Sequence, residues 1–308
     1  MKPDKPSPSL NYLCYAVPVT LGFLMLVLSY RLTNSPVTPV TGPHMSFPIV
    51  ASIFVLLTVV WLLAVRTALR FKNYTWTIRK SKDGKSLSMI ATAFCLLVGY
   101  IMLLPAVMTL ESLLVGTPYL KLGVALGNHL PLLLALASGI LLLKGSVKLV
   151  GLVNYRRHYK PGLVLLVSVG IAAVFTVFCM QFVQAVPHLQ SVNGVPKFTL
   201  PVPALIFTYV IPHVALWIVG SLACLNIMHY AHKVAGVVYK SLFRDLGLGL
   251  LLVYICIFIA QFLTISSMSY AHAEKGLIAV YGVVGLALWG LGLIYRGSKK
   301  LQKIEDLV

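Results

Sequence analysis

Two histidines that lie within long apolar runs, His129 and His213, are the residues of this chain best suited to chemistry. An imidazole at bilayer depth can give or accept a hydrogen bond, carry a proton or ligate a metal, and its burial is costly enough to demand a partner. His129 lies about eight residues inside the outer end of its run and His213 about ten, which is roughly 12 and 15 Å of helix. The pair is therefore expected at nearly equal depth.

Each histidine stands near a proline, Pro131 or Pro212, which frees the carbonyl of Gly127 or Thr208 from its helical bond. Pro105, Gln181, Gln184, Gln261 and Thr264 fall at similar outer depths, whereas the inner halves of the same runs are largely aliphatic. A polar cavity opening outward would produce this pattern, with the histidines exchanging hydrogen bonds with a small uncharged or weakly anionic molecule and the glutamines orienting it. Two neutral imidazoles at matching depth are also what a bis-histidine haem b site requires. The third reading is structural, since membrane helices use His and Gln as interhelical hydrogen-bond partners.

His158, His229 and His232 gather at the opposite, inner side, and the latter two share a helix face at a spacing of three. They are weak candidates for a metal site, against the alternative of histidines lining the interface. Tyr155, Tyr159, Tyr230 and Tyr239 around them suit an interfacial aromatic belt. No carboxylate is expected in the interior of any span, which weakens proton-coupled pumping. No phosphate loop, HExxH or GxSxG motif occurs, so no catalytic machinery is visible and an enzyme is disfavoured.

The elements that must hold these residues follow from composition. The 308 residues are 59% hydrophobic and 10% charged, far too apolar to cover a soluble domain. Apolar runs at about 12–30, 47–65, 87–110, 122–143, 163–186, 204–227, 246–265 and 276–295 are each long enough to cross a roughly 30 Å hydrocarbon core. The expected fold is all-α, a polytopic transmembrane bundle of eight spans forming one membrane domain over 1–308. The first run lacks a convincing cleavage site and is expected to be retained.

Placing the N-terminus inside puts 21 of the 25 lysines and arginines on the cytoplasmic side, leaving Arg31, Lys121, Lys197 and Lys275 opposite. Both termini are then cytoplasmic, in a cell membrane. The net charge of +18 becomes a matter of topology and of attraction to anionic headgroups, and nucleic acid is not an expected partner. The longest inner segment, RFKNYTWTIRKSKDGKS, reads as a solvated basic loop with a turn at Asp83-Gly84. The tail from 296 to 308 reads as a short amphipathic helix on the membrane surface.

Five cysteines lie in apolar runs without metal-ligand spacing and read as small hydrophobes. Gly123 with Gly127, Gly170 with Ala172 and Ala173, and Gly282, Gly285, Gly290 and Gly292 are candidate close-packing positions between helices.

Overall fold

A computed structural model describes residues 8–33, 47–78, 82–114, 119–152, 211–234, 236–267 and 273–305. Among these residues the chain is entirely helical. The seven helices are α1 Pro8–Thr33, α2 Phe47–Thr77, α3 Lys82–Leu114, α4 Leu120–Gly151, α5 Ile211–Lys233, α6 Val237–Ser267 and α7 Ala273–Glu305. Five of them, α2 to α6, contain stretches long and apolar enough to cross a membrane, consistent with a multi-pass membrane protein. The predicted run at 163–186 lies outside the described residues.

The helices outlast their apolar runs. The basic stretch expected as a loop is mostly helix, because α2 continues to Thr77 and α3 begins at Lys82. Phe71 and Thr75 are buried there, so packing, which composition does not reveal, holds this extension in place. Asp83 marks the first turn of α3, where a negative charge favours the free amides of a helix start, rather than a hairpin turn. Residues 296–305 likewise continue α7. Gly297 lies against Leu242 and Leu246 of α6 and Ser298 is buried, so this part of the expected surface tail is packed on the bundle.

Packing closes a ring in the order α2, α3, α4, α5, α6, α7 and back to α2, with α1 resting outside on α2 and α3. Most neighbours are antiparallel: Ser138 of α4 bonds the Ala93 carbonyl of α3 at 2.8 Å, and Trp217 of α5 lies against Phe258 of α6 with ring centroids 5.1 Å apart. Two pairs run parallel. Arg70 and Ser52 of α2 meet Tyr295 and Tyr281 of α7, and Gly139 and Ser146 of α4 meet Leu216 and Asn226 of α5. The last residues of α4 and the first of α5 therefore stand at opposite ends of the bundle. The start of α1 and the finish of α7 stand at the same end, together with most of the described lysines and arginines.

The ring is filled by side chains. Trp61, Phe94, Leu97, Leu142, Ile227, Leu246, Tyr254 and Ile294 are almost wholly buried. Between helices in lipid there is little hydrophobic drive, so close van der Waals fit has to hold such a bundle. The α6–α7 crossing shows how: a Cβ added to Gly249 would stand 2.7 Å from the Gly290 carbonyl oxygen. Gly290 is thus a contact glycine as expected. Gly282, Gly285 and Gly292 instead face open space, with nothing within 4 Å of an added Cβ.

Candidate functional site

The α5–α6 seam carries the largest share of the predicted outer-half residues. Trp217 lies opposite Phe258, and Gly220 leaves room for the Tyr254 ring, which an added Cβ would strike. Continuing this antiparallel register by one helical turn toward the outer end brings the backbone positions of His213 and Gln261 opposite one another. His129 belongs to α4, which packs directly on α5. The α4–α5 register, Gly139 beside Leu216 and Val219 and Ser146 beside Asn226, sets His213 about five positions, or roughly 7 Å, nearer the basic end than His129. Gln181, Gln184 and His158 lie outside the described residues.

Just below His213 the seam holds buried polar atoms. The Trp217 Nε1, Ser221 Oγ and Tyr254 hydroxyl are buried without a hydrogen-bond partner among the described residues. Tyr254 is only 1% exposed. Its hydroxyl comes up to Ser138 of α4, but the Ser138 proton is given to the Ala93 carbonyl, and no hydrogen bond of ordinary geometry joins the two hydroxyls. A buried polar group left unpaired costs about 1 to 3 kcal/mol, so three on one seam form a site that a hydrogen-bonding guest or water would stabilise.

The basic half is less aliphatic than the sequence suggests. Asn226 of α5 donates to Ser146 of α4 at 3.3 Å, and the Lys72 ammonium on α2 reaches Thr92 of α3 at 2.6 Å. Arg70 donates to the Tyr295 hydroxyl at 2.9 Å, with its guanidinium 5.0 Å from that ring's centroid. Asp245 of α6 is 5% exposed and accepts from Lys300 of α7 at 2.7 Å, while Arg296 stands at 3.5 Å and Ser241 also takes a bond from Lys300 at 3.1 Å. Asp245 thus lies inside helix α6, although outside the apolar run from which no carboxylate is expected to project. Asp245 immediately precedes the apolar run at 246, so a boundary drawn by hydropathy leaves it in a loop. The signal that could have found it is Arg296 and Lys300, four apart on a facing helix.

His229 is half-buried and His232 exposed near the end of α5, and no group of three His, Cys, Asp or Glu side chains able to hold a metal gathers among the described residues. Tyr230 departs from the aromatic-belt expectation: it is buried edge-on against Phe243, with centroids 4.7 Å apart. Tyr239 is exposed, as a belt residue would be. No family model, no curated protein and no solved structure matches this chain.

Proposed function

We propose that this chain is an eight-span membrane protein with both ends in the cytoplasm, which binds or passes a small uncharged or weakly anionic molecule in a polar pocket opening to the outer side. One observation carries the reading: the α5–α6 register sets the His213 and Gln261 positions one turn above Trp217 and about two turns above Ser221 and Tyr254, whose polar atoms are buried without a partner among the described residues. Donors at successive levels of one seam suit a guest with oxygen acceptors. His129 on the adjoining α4 would bound the same pocket, and Gln181 and Gln184 would enter it from the crossing between α4 and α5.

The eight-span count is supported by the parallel run of α4 and α5. Two parallel neighbours need the chain between them to return across the bilayer, and the apolar run at 163–186 has the length to do so. Orientation is supported by the basic end, which the positive-inside rule assigns to the cytoplasm. The outward opening is supported by closure of the other half, where Leu142, Leu246 and Ile294 fill the ring and Asp245 is bridged to Lys300.

The test is mass analysis of small molecules that co-purify with the full chain, beside a variant carrying His213→Ala and Gln261→Ala. A molecule retained by the native protein and lost from the inserted variant supports the pocket. Equal retention by both removes it.

A further inference from the structure

We infer that the seam between α2 and α7 is a binding groove for one anionic phospholipid, with the phosphate held at the basic end by Arg66 and Lys299 and an acyl chain laid over the glycines of α7. The seam is clasped at two levels. Ser52 bonds the Tyr281 hydroxyl at 2.8 Å, and Arg70 bonds the Tyr295 hydroxyl at 2.9 Å. Tyr281 and Tyr295 are fourteen residues apart on one helix, so the clasps stand about 21 Å apart.

Between the clasps the surface is open. Gly285 and Gly292 meet nothing within 4 Å. They precede Lys299 by fourteen and seven residues, spacings that keep all three on the same side of α7. On α2 the exposed Val59 and Leu63 lead to Arg66 in the same way. Trp289, 61% exposed, borders the stripe and offers the face against which acyl chains pack.

The cations at the foot of this groove give the occupant its charge. Arg66 is exposed, with its guanidinium 5.7 Å from the centroid of the Tyr295 ring that Arg70 also covers. Lys299 follows Tyr295 by one turn. Neither Arg66 nor Lys299 forms an ion pair among the described residues, whereas Asp245 is already taken by Lys300 and Arg296 on the α6 side. A guanidinium held in orientation by an aromatic ring suits bidentate binding of a phosphate. The distance from Lys299 up to Gly285, about 21 Å, exceeds the roughly 15 Å depth of one leaflet, so the groove is long enough for a chain. Open glycines, aligned cations and two polar clasps together fit a lipid of the leaflet nearest the basic end.

The experiment is native mass spectrometry of the full chain exchanged into nanodiscs of equal phosphatidylglycerol and phosphatidylcholine. The native protein is expected to keep one phosphatidylglycerol in preference to phosphatidylcholine. Arg66→Gln with Lys299→Gln should reduce that preference by about thirtyfold, the effect of two cations near a membrane surface. Gly285→Leu with Gly292→Leu should displace the lipid while leaving the helical spectrum intact, because the added side chains enter open space. Equal retention of the two lipids by the native protein overturns the assignment. So does loss in the charge variant with full retention in the glycine variant, which would mean surface attraction without a groove. Loss in the glycine variant alone would mean a groove indifferent to charge, and overturns the anionic identity.

Discussion

Replacing Lys300 by methionine is expected to destabilise the bundle by about 2 to 3 kcal/mol. The side chain of Asp245 is only 6% exposed and that of Lys300 is 21% exposed, so their 2.7 Å contact is mostly shielded from water. Removing one partner of a buried pair costs about 3 to 5 kcal/mol, chiefly because the remaining charge is stranded. Here Arg296 stays at 3.5 Å, but its side chain is 68% exposed and its attraction is largely screened, so it recovers only part of that loss. Asp245→Asn should cost less, about 1 kcal/mol, because Lys300 keeps Ser241 at 3.1 Å and can extend its ammonium toward water. The double variant should cost less than the two single changes together, with a coupling of at least about 1 kcal/mol. The assay is reversible denaturant unfolding in detergent followed by far-ultraviolet circular dichroism, with Lys299→Met as the exposed control. A Lys300→Met effect equal to that of Lys299→Met, or an Asp245→Asn effect larger than either, would refute the account of a stranded carboxylate.

Three further outcomes follow from the packing and the register. Gly249→Ala should cost about 1 to 3 kcal/mol in the same unfolding assay because its methyl would strike the Gly290 carbonyl, whereas Gly282→Ala, in open space, should be neutral or stabilise α7 by up to about 1 kcal/mol. Gly236, with φ of 96° in the turn between α5 and α6, should lose about 1 kcal/mol on mutation to alanine, read as a lowered unfolding midpoint. Purified protein supplemented with haem should show no Soret band, since His129 and His213 differ by about five positions along the α4–α5 register instead of standing level; a Soret band lost on His213→Ala would overturn that register argument.

Hydropathy was sufficient to find the helical class and most of the helices, because the alternative to a spanning helix for twenty apolar residues is unsatisfied backbone in lipid. It failed at the helix ends for a definite reason. Arg66, Arg70 and Lys72 end an apolar run, yet they occupy the exposed and half-buried sides of a helix whose other side carries the buried Ala68, Phe71 and Thr75. Composition averages those two sides; packing separates them. The candidate site was legible in a similarly partial way. His213 and Gln261 stand out as polar residues in apolar runs, but Tyr254, Ser221 and Trp217 look like ordinary membrane-helix residues until packing buries their polar atoms without a partner among the described residues. Depth counted from the ends of apolar runs sets His129 nearly level with His213, whereas the α4–α5 contacts, carried on to these positions, offset their backbones by about five residues.

The helical extension at the basic end also changes what the positive charge can do. Helices of 31 to 33 residues, such as α2, α3 and α7, are about 47 to 50 Å long, well over the roughly 30 Å of a hydrocarbon core. Much of the described basic charge therefore sits on helix continuing past the apolar runs, with directions set by the bundle. A basic loop attracts anionic lipid diffusely, and its affinity scales with charge number alone. Cations fixed to helices can be sorted by position: Lys300 turns inward to Asp245, Arg70 to Tyr295, and Arg66 and Lys299 remain at the open seam. Exchanging Lys299 and Ser298 would preserve the charge while moving it about 100° around α7, from the seam to a buried position. Under diffuse attraction lipid preference should follow net charge and survive that exchange; under a seated headgroup it should fall as it does when Lys299 is removed.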